Sequence, residues 1–247
     1  MPFTFSHPAI ILPFGILGKC YFSLTALIIG SMTPDFEYFL RLKVRSDFSH
    51  TLFGIFWFDL PLGVMLCFVF HLLVKKTLFK NLPFFLQTRF NDFLDFDFTD
   101  YFKKHFLVII FSLLLGAFSH LFWDGFTHHD GFFVELFPIL QTKTIFYSIP
   151  VFKFLQHLST LSGGVCIAFW VYKLPQNTKT VHSISLNYWL SLFSCFVFLF
   201  SIRFFFMYYF QENFHIGNFI VSGISLMLLS LILVGSFYSV YKKSDTK

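Results

Sequence analysis

Apolar residues in this chain gather into long runs separated by short polar links. Four runs, residues 52–74, 106–123, 186–206 and 217–241, reach or approach the length a helix needs to cross a bilayer, about 20 residues. A fifth, 148–172, is long enough although Lys153, Gln156 and His157 interrupt it. The first apolar stretch, 8–32, differs: Pro13, Gly15, Gly18 and Lys19 at its centre divide it into two pieces too short to span. The pattern predicts an all-α fold, a polytopic integral membrane helical bundle. It has about five transmembrane helices and an N-terminal broken, re-entrant or interfacial, helical hairpin. Broken helices of that kind are tolerated where other protein covers their backbone. By this reading residues 1–172 form a membrane-embedded domain, and residues 173–247 add two C-terminal spans and a tail.

Composition narrows the class. Of 247 residues, 56% are hydrophobic, 43 are Phe and only 13% are charged, about half the usual share of a soluble domain. So few charges cannot cover a soluble fold of this length, which excludes an ordinary cytoplasmic enzyme, a disordered chain and a nucleic-acid binder. The Phe excess carries no functional weight. Cys20, Cys67, Cys166 and Cys195 each sit inside an apolar run with no C-x-x-C among them, so they read as packing residues. No basic segment precedes the first apolar stretch, and a cleavable signal peptide is therefore not expected.

The net charge of +5 becomes informative when the cations are placed. Lys75, Lys76, Lys80, Arg89, Lys103 and Lys104 lie between the first two spans. Lys173 and Lys179 follow the third, and Lys242, Lys243 and Lys247 close the chain. The positive-inside rule puts these three segments, and so the C-terminus, in the cytoplasm. Arg41, Lys43 and Arg45 run against the trend. Everything up to His50, and everything from His120 to Pro150, then shares the extracytoplasmic face.

Histidines and carboxylates collect on that face. His120, Asp124 and His128 are spaced i, i+4, i+8 and share one side of a continuous helix. An imidazole and a carboxylate one turn apart can reach one divalent ion. An early end of that helix at Gly125 would leave His128 on a loop, from which it would still reach the ion. Pro34-Asp35 reads as a first helical turn, Ser49-His50-Thr51 precedes the first span, and His7-Pro8 precedes the broken stretch. Asp35 alone reads as a helix cap, and His7 or His50 alone as an interfacial side chain. His120 and Asp124 resist that reading, because ionisable groups at the edge of an apolar helix are costly and mark functional sites. If residues 8–32 crossed the membrane, His7 and Asp35 would lie on opposite sides, so a shared ion requires the hairpin. Asp59 sits about two turns into the first span, where a carboxylate needs a partner, and His157 lies at similar depth. Arg203 reads as a snorkelling residue.

Four strings carry a resemblance: MPFTFSHP from Met1, GSMTPDFEYF from Gly30, FSHT from Phe48 and SHLFWDGFTH from Ser119. Together with VFKFLQH from Val151, they resemble an uncharacterised family of bacterial integral-membrane proteins. More distantly, the order His7, Pro34-Asp35, Ser49-His50-Thr51, His120-x-x-x-Asp124 is similar to membrane-bound metal-dependent hydrolases and to zinc-dependent phospholipases C. That resemblance implies His7, Asp35, His50, His120 and Asp124 as metal ligands, with His128 as an additional one. Arg45-Ser46 stand where the hydrolases tend to carry another His, and the phospholipases' later H-x-x-x-E helix is absent. One or two zinc ions are therefore expected, rather than three.

The expected function is a metal-dependent hydrolase of a lipid phosphoester at the extracytoplasmic face of a bacterial inner membrane. Asp35, His120 and Asp124 would be its catalytic residues, membrane lipid its substrate, and Arg41, Lys43 or Arg45 its head-group contacts. The alternative is a scaffold or small transporter in which the His and Asp residues are caps and interhelical hydrogen bonds. No internal repeat of the transporter kind is visible.

Overall fold

Each of the five long apolar runs forms a helix in the computed structural model of the chain. The structure describes residues 3–18, 20–144, 148–210 and 215–244. Lys19, Lys247 and the link 211–214 lie outside the described residues, as do the side chains of Lys242 and Lys243. The helices are Leu52–Asn81 (α1), Phe98–Thr127 (α2), Val151–Lys173 (α3), Leu186–Tyr209 (α4) and Ile216–Ser244 (α5), all long and apolar enough to cross a membrane. Among the described residues there is no strand. Large apolar side chains stand exposed on these helices, among them Leu161, Val165 and Phe169 on α3 and Phe193 and Phe198 on α4. Surface of that kind suits hydrocarbon rather than water as its solvent.

Helix boundaries follow local chemistry. α1 begins where the Thr51 side chain accepts the Gly54 N–H at 2.9 Å, a standard N-cap. It contains two wide π-type turns, Ile55–Asp59 and Phe70–Val74. α2 starts well before its apolar run, with Asp97 accepting the Asp100 N–H at 3.0 Å, and it kinks at His105 (φ −132°, ψ 33°). It then runs two residues past Gly125, so His128 begins the turn that follows the helix.

By spatial contact the chain divides into two compact units interleaved along the sequence. The first comprises residues 1–36, 47–67 and 101–174, and the second residues 37–46, 68–100 and 175–247.

In the first unit, residues 8–32 do not form one span. They fold as short 3₁₀ turns, Thr4–Ile10 and Leu12–Leu17, and a short α-helix, Leu24–Gly30. The glycines and prolines of the stretch are the reason, since Pro13 removes a helix donor and Gly18 adopts φ +93°. Two close approaches then fix its course. The Thr4–Ile10 turn lies along α3: Ser6 Oγ donates to the Thr160 carbonyl at 3.0 Å and the Phe3 N–H to Thr160 Oγ1 at 3.1 Å. A methyl group at Gly163 would meet Ser6 Cβ and O at 2.9 Å. The Leu24–Gly30 helix lies against α2: the Ser23 N–H donates to Ser112 Oγ at 2.9 Å, and a methyl at Gly116 would stand 2.6 Å from both Leu27 O and Ser31 N. Small residues at such crossings let backbones approach closely.

In the second unit, α4 and α5 pack through Tyr188, Leu192 and Val234. The segment after α3 is tied down by Asn91, whose Nδ2 donates to the carbonyls of Asn177 and Thr180 at 2.7 and 2.8 Å.

Candidate metal centre

His120 is fully buried on α2 one turn beyond Gly116. The crossing at Gly116 brings the Ser31 carbonyl within 2.8 Å of His120 Nδ1. A carbonyl can only accept, so Nδ1 carries the proton and Nε2 presents its lone pair inward. A second partner that fixes the tautomer in this way is characteristic of metal-ligating histidines. Asp124 follows one turn later and is 7% exposed.

Asp35 arrives from the turn Thr33–Asp35 and is wholly buried. It caps no helix. Its Oδ2 accepts from Thr4 Oγ1 at 2.5 Å, across 31 residues of sequence, so the stretch between them doubles back on itself. Its Oδ1 is left facing His50 Nε2 at 3.4 Å and His120 Nε2 at 3.5 Å. Ser49, fully buried, donates to the Pro34 carbonyl at 2.6 Å and lies 3.1 Å from His50 Nδ1, which sets the His50 ring. His7, on the turn seated against Gly163, stacks on His120 with ring centroids 3.8 Å apart, and its Nε2 stands 3.5 Å from Asp124 Oδ1.

Six side chains from four stretches of sequence thus meet within the first unit. Asp124 divides its carboxylate between two groups. Oδ2 faces His120 Nε2 at 3.3 Å and His50 Nε2 at 3.8 Å, whereas Oδ1 faces His7 Nε2 at 3.5 Å and His128 Nδ1 at 3.6 Å. The ligand atoms of His7, Asp35 and His120 lie within 4.8 Å of one another, as do those of His50, His120 and Asp124.

The separations can be tested against what a cation would require. A charge-assisted N–H···O bond is about 2.7–2.9 Å long, and these pairs at 3.3–3.8 Å are all longer. Two ligand atoms each about 2.1 Å from a tetrahedral zinc stand about 3.4 Å apart. His50 Nε2, His120 Nε2, Asp35 Oδ1 and Asp124 Oδ2 stand 3.3–3.8 Å apart along four edges, close to that spacing. Moreover, both His7 nitrogens, Asp35 Oδ1, His120 Nε2 and both Asp124 oxygens are buried without a hydrogen-bond partner. Buried polar atoms are seldom left so, because each forgoes its hydration. The residues therefore fit a divalent cation. His120 has a single lone pair to give, so a second ion would draw on His7, His128 and the other Asp124 oxygen.

Electrostatics agree with that donor set. Burial, helped by the neighbouring His120, pushes the His7 imidazole down to about 3, which keeps it neutral and able to donate a lone pair at pH 7. Burial alone would raise the Asp35 carboxyl, but His120 and His50 more than offset it and hold the group below the usual carboxylate range.

A groove adjoins the cluster. One cavity of about 200 Å³ has His7 in its wall beside Ile10, Trp123, Ser159 and Ser162. A second, of about 240 Å³, shares Trp123, Ser159 and Ser162 and continues past Phe126, Leu155 and Leu158. Both lie within the first unit, between α2 and α3.

All six expected ligands are thus brought together, with His128 the most peripheral on its turn. Asp59 is buried and His157 exposed. Arg41, Lys43 and Arg45 belong to the second unit, where Arg41 pairs with Glu37 at 2.8 Å. Sequence reasoning missed Thr4, Ser31 and Ser49, which position Asp35, His120 and His50. Ser49 adjoins His50 and Thr4 lies three residues before His7, but no spacing rule points to a backbone carbonyl such as that of Ser31.

The chain is thus an all-helical protein with five membrane-spanning helices and a buried His/Asp cluster. It belongs to the family described as domain of unknown function DUF4184, whose model matches residues 1–236. No curated protein and no solved structure matches it.

Proposed function

We propose that the protein is a metal-dependent hydrolase that cleaves a lipid phosphoester at the extracytoplasmic face of a bacterial inner membrane, with its C-terminus in the cytoplasm. The observation that carries this reading is the set of buried, unpartnered His and Asp atoms spaced as the ligands of one cation are spaced. His50, His120, Asp35 and Asp124 would hold the first zinc, with His7 and His128 available to a second. A bound divalent ion supplies Lewis acidity toward a phosphoryl oxygen and acidifies water near neutral pH.

The chain's own groups do the rest. Ser31 and Ser49 hold the His120 and His50 rings in place, so little reorganisation accompanies binding. Thr4 engages one Asp35 oxygen and keeps the other directed inward, toward the position the ion would take. Trp123, Phe126, Leu155 and Leu158 line an apolar groove with His7 in its wall, which suits a hydrocarbon tail and supports a lipid rather than a soluble ester. The resemblance of the His/Asp order to membrane-bound hydrolases and zinc-dependent phospholipases C supports the same class.

Elemental analysis of detergent-purified protein, followed by a panel of lipid phosphoesters, tests the proposal. About one or two zinc equivalents are expected, and His120→Ala or Asp124→Ala should abolish them along with hydrolysis. Unchanged metal stoichiometry in both variants would sink the metal centre. A metal-loaded protein that cleaves no member of the panel would leave a scaffold with a structural ion.

A further inference from the structure

One lobe of the groove beside the cluster, about 200 Å³ in volume, has His7 in its wall, continued by Ala9, Ile10, Gly163 and Cys166. Trp123 lines it from α2. Ser6, Ser159 and Ser162 line it too, but each spends its hydroxyl proton on a carbonyl of α3. Ser6 Oγ donates to Thr160 at 3.0 Å, Ser159 Oγ to Gln156 at 3.0 Å and Ser162 Oγ to Ser159 at 3.4 Å. The serines thus serve as small side chains, and the lobe is largely apolar.

Ser159 and Gly163 are buried at its floor, whereas Ser162 and Cys166 are exposed on α3 beside the exposed Leu161 and Val165. The open side therefore lies on a membrane-spanning helix and faces hydrocarbon. From Ser159 to Cys166 the lobe follows α3 for about 10 Å. Bare apolar walls forgo dispersion contacts, and water needs several polar partners to occupy such a space. A hydrocarbon chain meets both conditions. The lobe is smaller than the roughly 300–1,000 Å³ of a site that encloses a whole small molecule, so it holds part of one chain.

The apolar wall begins at the ligand histidine itself. Ala9 and Ile10 come two and three residues after His7, and Gly163 closes on Ser6 just before it. A glycerophospholipid places a glycerol and its ester groups between phosphate and chain, and those polar groups would fall against this wall. We infer that the lobe admits a single chain sideways from the bilayer. Its ligand is then a phosphate ester of a long-chain alcohol, with the ester oxygen bonded directly to the chain. The inference rests on the metal-dependent reading above, which it narrows from lipid phosphoesters in general.

Photolabelling of the full chain in neutral detergent tests it, with hexadecyl phosphonate carrying a diazirine near the phosphonate end of its chain. Adducts mapped by mass spectrometry should concentrate on Ala9, Ile10 and Cys166, and unlabelled hexadecyl phosphonate should compete them away. Phosphatidic acid with tails of the same length should compete far less well. Cys166→Phe, which overfills the lobe, should cut the yield about tenfold or more and leave zinc content unchanged. Val165→Phe, on the neighbouring exposed position, should change neither. Adducts scattered over the exposed faces of α4 and α5 would overturn the inference. So would equal competition by phosphatidic acid, or equal yields from the two Phe variants. Localised adducts on a protein that retains no zinc or cleaves no phosphoester would instead overturn the hydrolase reading and leave the chain site standing.

Discussion

The two ring nitrogens of His120 have different partners: Nδ1 is engaged by the Ser31 carbonyl, and Nε2 faces Asp35 and Asp124. The same division recurs at Asp35, where Thr4 engages one oxygen and leaves the other directed inward. Partners of this kind typically contribute 10- to 100-fold in metal affinity without touching the ion. Thr4→Val should therefore weaken zinc binding by about that factor, and Thr4→Ser, which keeps the hydroxyl, should not. A chelator-competition titration of the purified protein reads the difference. Equal affinity in the Val variant would mean that Thr4 is merely packed against the carboxylate. The six ligand candidates were legible in the sequence because ionisable groups are so scarce near its apolar runs. Their positioning partners were not, since hydroxyls and carbonyls are present in every segment.

Two neighbouring glycines on α3 separate packing from propensity at the level of the elements. Both would gain about 1 kcal/mol of helix propensity on replacement by Ala. Gly164 has open space around its would-be Cβ, whereas a methyl at Gly163 would meet Ser6 at 2.9 Å and press on the turn that carries His7. Gly164→Ala should raise the melting temperature slightly. Gly163→Ala should lower it and reduce zinc retention, because the His7 turn must move. Thermal unfolding with metal analysis of both variants checks this pair, and parallel behaviour would contradict the packing account. The broken N-terminal stretch was anticipated from its Pro and Gly residues, and the close approach at Gly116 explains why it can lie against α2. The end of α2 was less legible: Gly125 reads as a stop, yet the helix continues to Thr127 and places His128 on the turn beyond.

For the whole molecule, the placement of cations predicts an even exchange of sides by α1 to α5 and a cytoplasmic C-terminus. A C-terminal green fluorescent protein fusion should fluoresce in bacterial cells, and a C-terminal alkaline phosphatase fusion should be inactive. The reverse result would invert the topology and move the His/Asp cluster to the cytoplasmic face. The five spans themselves were determined by sequence alone, because crossing a bilayer requires only length and apolarity, both local properties of the chain. Candidate ligands were also visible locally, as charges and imidazoles out of place. What only the tertiary structure decided is their convergence: Thr4 meets Asp35, Ser31 meets His120, and Ser49 meets Pro34 across 31, 89 and 15 residues of chain. Those meetings depend on backbones closing at Gly116 and Gly163, and such closeness is a property of pairs of segments that neither segment's own pattern encodes.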